Sequence, residues 1–116
     1  MELVPVGRFD WERWIKRLPL TPKDKFMALM LATYADEDGS RVFPGTKELM
    51  AVMCLSSPTV KRQLSTLREL GLIELVSRAN RYQGLADEYR LTVPANVTET
   101  PGLLAPDEGH KDRARP

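Results

Sequence analysis

Five cations and a set of small hydroxyl side chains crowd one part of this 116-residue chain. Between residues 56 and 81 stand Lys61, Arg62, Arg68, Arg78 and Arg81 against only Glu69 and Glu74, a local excess of three positive charges on a protein of net charge +1. Ser56, Ser57, Pro58, Thr59 and Ser65 lie among them, and Thr46 stands a little upstream. Ammonium, guanidinium and hydroxyl groups donate hydrogen bonds to phosphate oxygens and to base edges, so the chemistry open to this set is capture of a polyanion rather than bond making. Acids gather elsewhere, at Asp36, Glu37 and Asp38 and again at Asp87 and Glu88, which leaves room for a basic face on a near-neutral chain. Charge alone fits an ordinary solvated surface equally well.

The rest of the composition narrows the function classes. No nucleophile and base stand at a useful spacing, and no glycine-rich phosphate loop is present, so an enzyme finds no support. Cys54 has no histidine near it in sequence, and His110 has no partner that would make it a site. The acidic turn at 36–40 lacks the ligand spacing of a calcium loop, so neither a metal nor another cofactor is expected. A single cysteine cannot form an internal disulfide, and no apolar run is long enough for a membrane span. The first residues lack the charged start and apolar run of a signal peptide. The expectation is a cytoplasmic protein of one domain, without a membrane segment or an evident small-molecule ligand.

Two short helices joined by a tight turn must position the cations. Thr46 reads as the N-cap of the first, with Leu49, Val52 and Met53 on one face. Cys54 and Leu55 make the turn. Ser56 caps the second helix, with Ser57 and Pro58 in its first turn, where proline loses no hydrogen bond. Val60, Leu64 and Leu67 recur at i, i+4 and i+7 as a core stripe. Ser57, Pro58, Lys61, Arg62 and Ser65 fall on the opposite side, and none is a large hydrocarbon. Gly71 stands where a left-handed C′ residue is wanted, so that Leu72 folds back on Leu67. A helix with a buried back and a small, basic front fits a major groove, which is wide enough for it and lined with acceptors.

The pattern T-x-x-L-(x)5-L-S-x-x-T-V-x-R-x-L-(x)2-L-x-x-L-G-L-I, from Thr46 to Ile73, resembles the helix-turn-helix core of winged-helix DNA-binding proteins. The lead-in Asp38, Gly39, Phe43 and Pro44 is similar to that of bacterial, phage and plasmid regulators and replication proteins. The resemblance covers about residues 20–93. It implies a mainly α fold with a small β-hairpin: a three-helix core, an extra N-terminal helix, a recognition helix at 57–70 and a wing at 78–86. Two positions depart from the pattern. Met50 stands where a small residue usually lets the helices approach, and Cys54 where glycine usually takes a positive φ, which implies an opened or strained turn.

Around this centre the chain reads as an N-terminal arm and short helix at 1–19, the main domain at 20–94 and a disordered tail at 95–116. Residues 1–7 are expected to be extended and loosely held. Asp10 would cap a helix carrying Trp11, Trp14, Ile15 and Leu18 at helical spacing. That stripe either packs over the domain, which a small core favours, or forms a partner or dimer surface. Thr21, Pro22 and Asp24 open the next helix, whose stripe of Phe26, Met27, Met30, Leu31 and Tyr34 runs to about Ala35. Residues 41–43 could pair with the later hairpin. Residues 72–76 and 88–93 form its strands, with Tyr89, Leu91 and Val93 on one face. The polar segment between them carries Arg78, Arg81, Tyr82 and Gln83, and in winged-helix relatives such a loop reaches phosphates or a minor groove. Proline, glycine and mixed charge mark the tail.

The expected function is sequence-preferring binding of double-stranded DNA in transcription regulation. The alternative is a protein-interaction or replication-accessory module in plasmid or phage replication or partition. As a homodimer it would meet half-sites about one helical turn, ~34 Å, apart.

Overall fold

In a computed structural model, residues 1–80 and 82–105 are described. The chain forms β1 (Leu3–Pro5), α1 (Arg8–Arg17), α2 (Pro22–Ala32), α3 (Gly45–Met53), α4 (Ser57–Glu69), β2 (Ile73–Ser77) and β3 (Glu88–Pro94), then a 3-10 turn at Val97–Glu99. The three strands make one antiparallel sheet in the order β1-β3-β2. Four helices and this sheet are compatible with a helix-turn-helix followed by a wing hairpin.

α2 shows how local signals set an element and packing then chooses its face. The Thr21 hydroxyl accepts the Asp24 N–H at 3.2 Å, and Pro22 holds the first helical position. The helix is apolar nearly all round, so the side that meets α1 and α4 is the side that is buried: Met27, Ala28, Leu31 and Ala32. Phe26, expected within the stripe, is 50% exposed. The helix also stops at Ala32 rather than Ala35, continuing as tighter turns such as Thr33 N–H to Met30 O.

α1 begins after Gly7, not at a cap formed by Asp10. Asp10 lies inside the first turn and pairs with Arg13 at 2.9 Å. Its apolar side is core: Trp11 and Ile15 are fully buried, and Trp14 is half-buried against them. The Trp11 indole N–H is shared between the Leu72 and Thr92 carbonyls, both at 2.9 Å, which ties α1 to the sheet. A buried indole needs such a partner, and here it joins residues far apart in sequence.

The two ends of the chain depart from expectation. Residues 3–5, read as part of a loose arm, form β1 and pair with β3 in the register Leu3↔Pro94, Val4↔Val93 and Pro5↔Thr92. Residues 95–105, read as the start of a disordered tail, are packed. Val97 is buried, Leu103 lies on the core, the Ala95 N–H reaches Glu2 O, and the Leu104 N–H reaches Arg17 O. Two apolar anchors without periodicity hold the segment, so composition missed it. The remainder of the expected tail, 106–116, lies outside the described residues.

The expected strand at 41–43 is a single bridge, Val42 to Tyr89, with bonds of 3.1 and 2.7 Å. Gly39 precedes it at φ +84°, close under Val6.

Candidate nucleic-acid interface

The turn between α3 and α4 sets where α4 points. α3 starts at Gly45 with Pro44 as its N-cap, so Thr46 is a half-buried first-turn residue and not the expected cap. At the other end Cys54 adopts the left-handed conformation, φ 57° and ψ 46°, as the glycine-like position implied. The Cys54 and Leu55 N–H groups both reach Met50 O, which closes α3 and turns the chain into α4. α4 ends as its sequence indicates: Gly71 at φ +76°, Leu72 N–H to Leu67 O and Gly71 N–H to Arg68 O, both 3.0 Å. This is a Schellman closure, and it delivers Leu72 and Ile73 directly into the core and β2.

Within that frame α4 divides into two faces. Val60, Gln63, Leu64 and Leu67 are buried. Pro58, Lys61, Arg62 and Ser65 are exposed, while Ser57 and Thr59 are half-buried. The Lys61 and Arg62 side chains make no hydrogen bond or ion pair to another described residue. Ser56 occupies the N-cap position, but its hydroxyl donates to Thr59 Oγ1 at 2.9 Å and accepts no backbone N–H. Pro58 has no N–H and the Val60 N–H bonds to Ser56 O at 3.0 Å, so the Ser57 and Thr59 amides are the ones without a side-chain cap.

Ser65 also borders a second surface, and the remaining expected residues lie away from the Lys61 and Arg62 face. Ser65 and Arg68 line a groove along β2 that also holds Glu69 and Glu74, so the positive charge there is partly countered. Thr46 borders a small cavity of about 120 Å³ between the start of α3, Leu64 and the root of the hairpin loop, at Ala79, Ala86 and Asp87. Arg78 is exposed at that root. Arg81 lies outside the described residues. Tyr82, on the loop, is almost fully exposed at 96%.

Three residues to which the sequence gives no site role stand in this region. Tyr89 is buried in β3, and its hydroxyl titrates above its ordinary range, first because it is buried and then because the Asp87 carboxylate lies beside it. The positive charges of Arg68 on α4 and Arg78 on the loop partly offset that shift. Asp87 accepts the Ala79 N–H at 2.6 Å. Gln63 is buried with its Oε1 unpartnered among the described residues. Gln63 fills a position of the buried stripe, so periodicity could have found it; the bond from Ala79 to Asp87 leaves no local pattern.

Residues 18–73 match the family model described as a helix-turn-helix domain. Comparison with curated proteins and with solved structures returned no match. The matched span runs from the end of α1 to the first residue of β2, so it contains α2, α3 and α4 but neither α1 nor the hairpin loop.

Proposed function

We propose that this chain, a helix-turn-helix protein over residues 18–73, binds double-stranded DNA with sequence preference and acts as a transcriptional regulator. The observation that carries the reading is the outer face of α4, where Lys61 and Arg62 are exposed, unengaged by described residues, and flanked by small side chains. An α-helix presented in this way enters the major groove by its N-terminal end. Ser57, Pro58, Thr59, Lys61, Arg62 and Ser65 then meet bases or phosphates. The Ser57 and Thr59 amides, with Ser56 beside them, receive a phosphate, helped by the positive end of the helix dipole, and Thr46 adds a contact from the start of α3. Arg62 is the residue that reads a guanine or clamps a phosphate, because its fork bonds bidentately. Arg68, Arg78 and Arg81 add backbone contacts from the end of α4 and the wing at 78–86.

The test is a selection of bound duplexes from a random pool, followed by gel shifts with Lys61→Ala and Arg62→Ala. Loss of a bidentate base contact costs ~1–3 kcal/mol of discrimination, so Arg62→Ala should bind roughly 5- to 150-fold more weakly and lose its preference at one base pair. Lys61→Ala should weaken all sequences alike and flatten the salt dependence by about one unit of slope. Equal, weak, sequence-blind binding by wild type and both variants would refute the reading. A dimer would place half-sites ~34 Å apart in the selected sequences.

The second reading is an interaction or replication-accessory module built on the Trp11/Trp14 stripe or on the wing edge. The stripe loses half of its surface, since Trp11 is fully buried and bonded to the sheet. Of the two indoles only Trp14 remains partly open to a partner.

A further inference from the structure

The ladder between β2 and β3 runs from Ile73↔Leu91 to Ser77↔Glu88, with an irregularity at Val76. It then stops and resumes as one bridge, Asn80 to Leu85, with two bonds of 2.9 Å. Between these pairings the backbone at 78–79 and 86–87 has no ladder partner among the described residues. An exposed amide in such a gap bonds either to water or to a side chain. The Ala79 N–H donates to Asp87 Oδ1 at 2.6 Å, so a side chain replaces the missing rung and closes the root of the loop. The same carboxylate lies beside the buried Tyr89 hydroxyl.

We propose that Asp87 is a positioning residue for duplex binding: by closing the root of the hairpin loop it holds Arg78 in a fixed place beside α4. The inference rests on the DNA-binding reading above and adds a requirement to it. It also runs against simple electrostatics. A carboxylate on a face that meets phosphates repels them, so by charge alone its removal strengthens binding. Asp87 acts in the opposite direction because a loop already ordered in its bound shape loses less freedom on binding than a loose one.

Two substitutions of the full chain separate the effects, measured on one duplex selected by the wild type. Asp87→Ala removes both the charge and the rung, while Asp87→Glu keeps the charge and displaces the acceptor by one methylene. Positioning requires both to bind more weakly, Asp87→Ala by roughly five- to tenfold. Charge alone requires Asp87→Ala to bind more tightly and Asp87→Glu to be unchanged. The salt slope of Asp87→Ala should fall by about one unit, as it should for Arg78→Ala, and the double variant should be little weaker than Arg78→Ala alone. Should Asp87→Ala fail to fold, Asp87→Glu decides by the same criterion. Binding by either folded variant at or above wild-type strength overturns the inference and leaves the recognition-helix reading intact. A uniform loss that adds fully to Arg78→Ala, with an unchanged slope, also overturns it. A wild type that binds no duplex refutes the DNA-binding reading and this inference with it.

Discussion

Replacing Cys54 with glycine should stabilise the fold without touching the proposed recognition surface. Cys54 closes α3 at φ 57° and ψ 46°, in the left-handed region where Cβ crowds the following carbonyl. That conformation costs a side-chain-bearing residue ~1–2 kcal/mol. Glycine removes the crowding but makes the unfolded chain more flexible, which returns ~0.5–1 kcal/mol. The thiol is exposed, so no buried packing is lost. The net expectation is a gain of about 0.5–1 kcal/mol, or roughly 2–8 °C in the unfolding midpoint for a domain of this size. Thermal and urea unfolding of Cys54→Gly, with Cys54→Ala as the control, give the test. Alanine keeps the strained backbone and deletes only sulfur, so it should stay within ~0.5 kcal/mol of wild type. If glycine lowers the midpoint while alanine does not, the turn carries no such strain and the account of how α3 hands over to α4 is wrong.

Gly39→Ala should destabilise by more than ~2 kcal/mol, because a Cβ at φ +84° would stand 2.0 Å from the Val6 carbonyl oxygen; urea unfolding reads it, and a near-neutral result would mean β1 is free to move aside. Gln63→Met should raise stability by ~1 kcal/mol by removing a buried acceptor without a described partner, and should leave DNA affinity unchanged, since the residue faces inward; destabilisation would mean that its amide is satisfied. Tyr89 holds its proton more tightly folded than unfolded, so its contribution is complete below the unfolded pKa of about 10 and is lost as pH rises through the higher folded value. Unfolding midpoints taken from pH 8 to 11 should therefore fall less steeply at the alkaline end for Tyr89→Phe than for wild type, and parallel curves would count against burial as the cause.

Sequence alone determined the parts of this protein that are written over a few neighbouring residues. The cap at Thr21, the stripe Val60–Leu64–Leu67, the left-handed turn at Gly71, and the exposed pair Lys61 and Arg62 each follow from side-chain type and helical spacing, whereas the left-handed Cys54 follows only from the family resemblance. Thr46 was misread as a cap because the start of α3 is set by Pro44 and Gly45, whose backbone geometry composition does not reveal. Tertiary structure decided what joins distant segments. It turned Trp11 into a bolt between Leu72 and Thr92, drew residues 3–5 into the sheet, and packed Val97 and Leu103 where a loose tail was expected. It also chose Asp87 as the rung beneath the hairpin loop. None of these leaves a periodic trace, because a contact between remote residues depends on where the folded backbone brings them, and period-based patterns record only which face of an element is buried.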